Sequence, residues 1–157
     1  MIVARMEAPM QLTDSIASLL KQKSGFICSV SPSDTVYDAI AMMAEKKVGA
    51  LLVIVDGTVV GILSERDYAR KVILQGRSSK TTRVSEIMSS PVIYVSPEHS
   101  VGECMQIITD HRIRHLPVMD GQQLVGIISI GDLVNWTLSA QRETIRHLES
   151  YITGTPR

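Results

Sequence analysis

Two short stretches of this sequence carry side chains arranged for recognition chemistry. One reads Gly61-Ile62-Leu63-Ser64-Glu65-Arg66-Asp67 and the other Gly126-Ile127-Ile128-Ser129-Ile130-Gly131-Asp132. In each, an apolar run ends in a serine. An aspartate follows three residues later, at the start of a segment with helical character. A helix N-terminus presents unpaired backbone N–H groups and partial positive charge, which suit a phosphate. A serine hydroxyl adds a donor there. A carboxylate three residues on accepts from the vicinal hydroxyls of a ribose. The same spacing also serves folding alone, because Ser-x-x-acid is a helix capping box. On either copy by itself the cap is the simpler account.

The elements that must position these turns repeat with them. The shift that carries Asp67 onto Asp132 also superposes Val30-Ser31-Pro32 on Val95-Ser96-Pro97, Val36 on Val101, Leu51 on Leu116, Val53 on Val118 and Val60-Gly61-Ile62 on Val125-Gly126-Ile127, without a gap. Such self-similarity marks an internal structural repeat. In the first copy, residues 28–30 read as a short strand and Ser31-Pro32-Ser33-Asp34 as a turn and helix start. Val36, Ala39, Ile40 and Met43 form a helical stripe. The continuous apolar run 50–55 suits a buried strand, Asp56-Gly57 a hairpin turn and 59–63 the returning strand. A helix then runs from Ser64 through Leu74 to Gly76. Each copy is thus strand, helix, strand, strand, helix. One copy alone leaves a sheet face open, and two packed with pseudo-twofold symmetry bury it. The expected fold is α/β (α+β). Its divisions are an N-terminal extension (1–25), a first repeat (26–76), a linker (77–84), a second repeat (85–139) and a C-terminal extension (140–157).

Outside the repeats, Thr13 or Asp14 is placed to cap a short helix with Ile16, Leu19, Leu20 and Lys23 at helical spacing, ended by Gly25. The polar stretch 76–82 reads as a solvated linker. The tail from Asp132 to Tyr151 lacks Pro and Gly, and Leu138, Ile145, Leu148 and Ile152 fall on one helical side. Its extra turns need a surface, either a second copy of the chain or the module's own flank.

Bulk properties narrow the class. The 157 residues carry 16 basic and 16 acidic side chains, which argues against a nucleic-acid surface. The hydrophobic fraction is 45% with only 4% aromatics, so the core is aliphatic. Cys28 and Cys104 lack metal-ligand spacing, and a disulfide framework is not expected. No run is long enough to cross a bilayer, and Met1 to Met10 lacks the pattern of a secretory signal. The expected location is the cytoplasm, with no membrane partner.

The repeat, its Gly-h-h-Ser-x-x-Asp endings (h, apolar) and the stretch Arg112-Ile113-Arg114-His115-Leu116-Pro117-Val118 together resemble the CBS domain family, named after cystathionine β-synthase. The resemblance covers residues 26 to about 139. More narrowly, residues 64–71, 76–80 and 129–132 look like stand-alone CBS-pair (Bateman module) proteins of bacteria and plant organelles. The resemblance implies a regulatory, signal-transducing module that binds adenosine-containing ligands in the cleft between its repeats: AMP first, or ADP, ATP, NAD(H) or S-adenosylmethionine. It implies an energy-sensing homodimer acting on another protein. Within it, twofold occurrence of Ser-x-x-Asp favours ligand contact over capping alone, and the two roles coexist in an empty site.

By the same resemblance, one site gathers Asp67, Ser64, Glu65 and Arg66 with Ile93, Ile113, Arg114 and His115. The other gathers Asp132, Ser129, Ile130 and Gly131 with Cys28, Val48, Gly49 and Ala50. Cys28 and Ile93 would lie against adenine, with Met88 closing over it. The Asp67 site, with Arg66, Arg114 and His115, is expected to prefer a phosphorylated nucleotide. The Asp132 site is expected to carry less charge and more room. Lys80 and Arg83 from the linker, and Arg70 and Lys71 from the helix, reach a phosphate or remain solvated surface charges. His99, His111 and His147 read as surface residues, Met42, Met43, Met88, Met105 and Met119 as core filler, and Trp136 as a packing residue.

No nucleophile, base and orienter fall in a recognisable order. Neither a Walker-type loop nor Gly-x-Gly-x-x-Gly is present. The chain is therefore read as a binding module without catalytic residues, catalytic cofactor or metal. The alternative is a constitutive interaction scaffold with vestigial pockets.

Overall fold

The computed structural model describes residues 12–23 and 25–154. The reading of Met1 to Met10 concerns residues outside that range. The chain divides into two compact units. One is Phe26–Tyr94 and the other combines Met1–Gly25 with Val95–Arg157.

In the first unit, strand β1 (Ser29–Val30) pairs parallel with β2 (Ala50–Val55), and β2 pairs antiparallel with β3 (Thr58–Ser64). The β2–β3 hairpin turns through Asp56 and Gly57, both at positive φ (49° and 77°). A tight two-residue hairpin turn favours that geometry, and Gly supplies it without strain. Helix α2 (Val36–Lys46) is capped by Thr35, whose hydroxyl accepts from the Asp38 N–H at 3.2 Å. The Asp34 carboxylate instead accepts from the Ser31 N–H at 2.8 Å and closes the turn before the helix. Val36, Ala39 and Met43 of the helical stripe are buried beside Leu51, Val53 and Leu63, and Ile40 packs on their edge.

After Ser64 the chain forms α3 (Glu65–Tyr68) and then widens into a π-helical turn over Ala69–Ile73. The Leu74 N–H reaches the Ala69 carbonyl at 3.1 Å, five residues back. The wider turn keeps Val72 in the core while Ile73 and Leu74 face outward. Apolar spacing anticipates a helix here but does not separate an α turn from a π turn. Gly76, at φ 65°, ends the segment. A short helix α4 (Val84–Ile87) then returns to the same core through Val84 and Ile87. The linker before it is not wholly solvated. Thr82 is buried, donates from its hydroxyl to the Ser78 carbonyl at 2.7 Å, and accepts from the Val36 N–H through its own carbonyl at 2.9 Å.

The second unit repeats this plan with α5 (Val101–His111), the hairpin β4 (His115–Asp120) and β5 (Gln123–Ser129), and α6 (Ile130–Thr153). Its first strand shrinks to one bridge, Val95 to Val118. The cause is a single residue. In the first unit the Leu52 N–H donates to the Cys28 carbonyl at 3.3 Å. Pro117 holds the matching place and has no N–H to give. Val95 still donates to the Pro117 carbonyl at 3.0 Å and accepts from Met119 at 2.8 Å.

The stretch read as an N-terminal extension belongs to this unit. Helix α1 (Ile16–Gln22) buries Ile16 and Leu19. The Ile16 N–H donates to the His99 carbonyl (2.8 Å), Ala17 to Pro97 (3.0 Å), and Val101 back to Asp14 (2.9 Å). In the first unit α4 makes the corresponding bonds, Val84 to Asp34 (2.9 Å), Ser85 to Pro32 (3.0 Å) and Val36 to Thr82 (2.9 Å). The pattern Ile16-x-x-Leu19-Leu20 is therefore the counterpart of Val84-x-x-Ile87-Met88. Each unit is closed by a short helix from the chain segment preceding a repeat.

Candidate functional site

Both Ser-x-x-Asp turns are complete capping boxes. At the first, the Ser64 N–H and hydroxyl donate to Asp67 Oδ2, each at 3.0 Å, and the Asp67 N–H returns to Ser64 Oγ at 3.2 Å. At the second, the Ser129 N–H donates to Asp132 Oδ2 at 2.8 Å and the Asp132 N–H returns to Ser129 Oγ at 3.1 Å. Each turn lies beside the start of its neighbouring strand. Ala50 is in register with Ser64, and the Glu65 N–H donates to the Gly49 carbonyl at 3.1 Å. His115 is in register with Ser129, and the Ile130 N–H donates to the Arg114 carbonyl at 2.9 Å. The registers thus group Val48-Gly49-Ala50 with the Asp67 turn inside one unit and Ile113-Arg114-His115 with the Asp132 turn inside the other. The crosswise grouping stays an implication of the resemblance.

A lysine sits on each carboxylate. Lys71 Nζ lies 3.0 Å from Asp67 Oδ1 and donates to the Ile87 carbonyl at 2.8 Å. It is four residues from Asp67 on the same helical segment. Ser89 Oγ adds a longer bond of 3.4 Å to Oδ1, so both oxygens of Asp67 are engaged. In the other unit the position matching Lys71 is Trp136, whose indole N–H donates to Asp14 Oδ2 at 2.9 Å. The cation comes instead from the end of α1. Lys23 Nζ is 2.6 Å from Asp132 Oδ2 and 2.6 Å from the Ile127 carbonyl. Lys23 and Asp132 are 109 residues apart in sequence. The Asp132 turn, expected to carry less charge than the Asp67 turn, thus holds a cation of its own, as the Asp67 turn does. The separation hid the charge from a reading based on local spacing.

These contacts set the electrostatics. Burial pushes the Asp132 carboxyl up, but the Lys23 ammonium and the Ser129 N–H outweigh it and hold the pKa below the ordinary 3.8. His115 falls below 6.5, mainly through burial and then through Lys23, with Asp132 opposing and Arg114 assisting. Neutral His115 therefore stands beside an ionised Asp132 near pH 7.

The remaining expected site residues are placed as follows. Cys28, Met88 and Ile93 are half-buried in the first unit. Met88 presses on Gly61, where a Cβ would stand 2.6 Å from its sulfur. Leu20 makes the matching approach to Gly126, at 2.7 Å from its built Cβ. Gly131 is exposed, and a Cβ there would meet only Ser129 Oγ, at 3.6 Å. Lys80 lies over the Tyr37 ring at 5.1 Å, and Arg83 donates to the Ser33 carbonyl at 2.9 Å. His99 is structural. Its Nδ1 accepts from the Ser96 N–H at 3.0 Å, the part Asp34 plays in the first unit. Among the described residues no group of three or more His, Cys, Asp and Glu side chains is arranged to hold a metal ion. No described helix is long and apolar enough to cross a membrane.

The family model of the CBS domain matches residues 26–73 and 84–139. The mitochondrial CBS domain-containing protein CBSX3 of Arabidopsis thaliana is 42% identical over 160 residues, covering 96% of this chain and 78% of that protein. The structure of a protein with CBS domains from Burkholderia ambifaria is 54% identical and covers 80% of this chain and 95% of its own, with a TM-score of 0.79. More distantly, the CBS domain pair of protein MJ0100, in complex with 5′-methylthioadenosine and S-adenosyl-L-methionine, shares the fold at 20% identity and a TM-score of 0.72, over 81% of this chain and 98% of its own.

Proposed function

The chain belongs to the CBS domain family, as a pair of CBS domains, and from that premise we propose that it is a regulatory module. It binds adenosine-containing ligands, AMP first, at its two Ser-x-x-Asp turns, and their occupancy changes how it engages a protein partner. The observation that carries this is the duplicate construction of the turns. Each sets a carboxylate, a serine and a lysine ammonium within one short reach. A ribose diol donates to the carboxylate, while a phosphate suits the ammonium. ADP, ATP, NAD(H) and S-adenosylmethionine share the adenosine half and are the other members of the class. Adenosine-type ligands accompany the fold in the distant MJ0100 pair. The choice of ligand here rests on this chain's own turns.

Exposed Val134, Leu138, Ile145, Leu148 and Ile152 along α6 support association, as a homodimer or with the regulated protein. A solution mass measurement distinguishes monomer from dimer. The functional test is thermal shift with a panel of adenosine ligands, because a ligand that prefers the native state must raise the melting temperature. Titrating AMP into Asp67→Ala and Asp132→Ala then tests the expected preference of the Asp67 turn for AMP, and equal losses in both variants would remove that preference. The second reading, a constitutive scaffold, is favoured by the completeness of both capping boxes, which gives each Asp a structural task. No thermal shift with any member of the panel selects it.

A further inference from the structure

The Asp132 turn holds a cation brought from a different element, and its carboxylate is used unevenly. Oδ2 takes both the Ser129 N–H at 2.8 Å and Lys23 Nζ at 2.6 Å. Both of these bonds fall on the one oxygen. Lys23 also donates to the Ile127 carbonyl, so its ammonium is fixed at the end of β5, at the lip of the turn. Asp67 differs, with both oxygens engaged and a lysine from its own helical segment.

A diol arriving at Asp132 must compete with Lys23 for the carboxylate. A neutral nucleoside takes hydrogen bonds from the ammonium and returns no charge to it. A nucleotide offers a phosphate in exchange, so the cation passes from one anion to another. Charge-assisted bonds are the strong ones, so this exchange decides between the two ligands. Gly131 leaves the first turn of α6 open to such a group, since a Cβ there would meet only Ser129 Oγ.

We propose that Lys23 sets the ligand class of the Asp132 turn, holding the carboxylate against neutral nucleosides and admitting ligands that bring an anionic group to replace it. The proposal rests on the adenosine-binding reading above. Calorimetric titration of AMP and adenosine into the full chain carrying Asp67→Asn reports on the Asp132 turn. There AMP binds more tightly than adenosine by about tenfold or more. Lys23→Met keeps the aliphatic stem and removes the charge. It tightens adenosine, weakens AMP and brings the two within about twofold, as expected when one charge-assisted bond no longer separates them. Lys23→Arg keeps the preference. Lys23→Gln replaces the Met variant if circular dichroism shows that variant unfolded.

An unchanged AMP-to-adenosine ratio in the uncharged variant overturns the proposal, as does equal binding of the two in the Asp67→Asn parent. If the Asp67→Asn parent binds neither ligand, the proposal falls, whatever the uncharged variant does. AMP titrated into the native chain, with the Asp67 turn intact, tests the adenosine-binding reading separately, and no binding there removes that reading as well.

Discussion

Helix α1 is a structural part of the second unit, so truncating one of its buried side chains must destabilise that unit. Leu19 is 4% exposed and sits one turn from fully buried Ile16. Transfer of a leucine side chain from water accounts for about 1.5–3 kcal/mol. Leu19→Ala also leaves a cavity, and buried leucine-to-alanine changes as a class cost about 2–5 kcal/mol. Relaxation is limited because the bonds from Ile16 to His99 and from Ala17 to Pro97 hold the α1 backbone at 2.8 Å and 3.0 Å. The expected loss is therefore in the upper half of that range, about 3.5–5 kcal/mol. It is a large share of the about 5–15 kcal/mol that stabilises a domain. Urea unfolding followed by the fluorescence of Trp136 measures it. Trp136 is the chain's one tryptophan and is bonded to Asp14 just before α1. Leu74→Ala, at a side chain 78% exposed, is the control and stays within about 0.5 kcal/mol. A Leu19→Ala loss under about 1 kcal/mol, with the Trp136 transition unmoved, would refute the assignment of α1 to this core.

Three further outcomes concern the pH dependence, the free space and the thiols of the chain. His115 has a folded pKa below 6.5, so the unfolded chain binds its proton more readily and stability falls as pH drops below 6.5 until the folded value is passed. Asp132, held below 3.8, adds a second loss as pH falls from 3.8 through its folded value. Urea midpoints across pH 8 to 3 should show both limbs, and His115→Gln should flatten only the upper one. Gly131→Ala fills open space within the first turn of α6 and should raise stability by up to about 1 kcal/mol. A loss in urea unfolding would contradict the free space at that Cβ. Cys104 is fully buried and its thiol is pushed up to about 11, chiefly by burial, whereas Cys28 is half-exposed. Mass spectrometry after brief iodoacetamide treatment at neutral pH should find Cys28 alkylated first, and equal labelling would refute the buried placement of Cys104.

What the sequence made legible was periodic or repeated. The stripe Val36, Ala39 and Met43, the buried run of β2, the Asp56-Gly57 hairpin and the two capping turns all follow from spacing within a few residues. Most of the remaining features lack such local signals. The π turn at Ala69–Ile73 has the same apolar spacing as an α-helix. The loss of a strand at Val95 required asking which N–H the partner strand would supply, and Pro117 had none. Helix α1, the counterpart of α4, lies before residue 30, where the ungapped repeat begins. The shared pattern of an apolar residue, two intervening positions and two more apolar residues was readable at both Ile16 and Val84. Lys23 beside Asp132 had no local signal, since only the fold brings that pair together.

The departures from the repeat fall where a ligand-binding function would need them. Core positions are kept in kind: Val36 and Val101, Leu51 and Leu116, and Val53 and Val118 are all buried. At the carboxylates the copies differ in how charge is delivered. The first unit takes its cation from Lys71, on the segment that carries Asp67, so that pair forms wherever the segment is helical. The second has Trp136 in place of that lysine and receives Lys23 from α1, which is held by Ile16, Leu19 and the Trp136–Asp14 bond. Asp132 is therefore paired only while α1 is docked. Loosening α1 frees the carboxylate, and a ligand that takes the carboxylate removes one of the bonds that keep α1 in place. A ligand at Asp132, as proposed above, would be linked in both directions to the order of α1, as any such coupling must be. Amide exchange over Ile16–Gln22 should accelerate when a ligand displaces Lys23 without replacing its bond, and should not when a phosphate takes over the ammonium. A nucleoside and a nucleotide of equal occupancy that leave α1 equally protected would break the link.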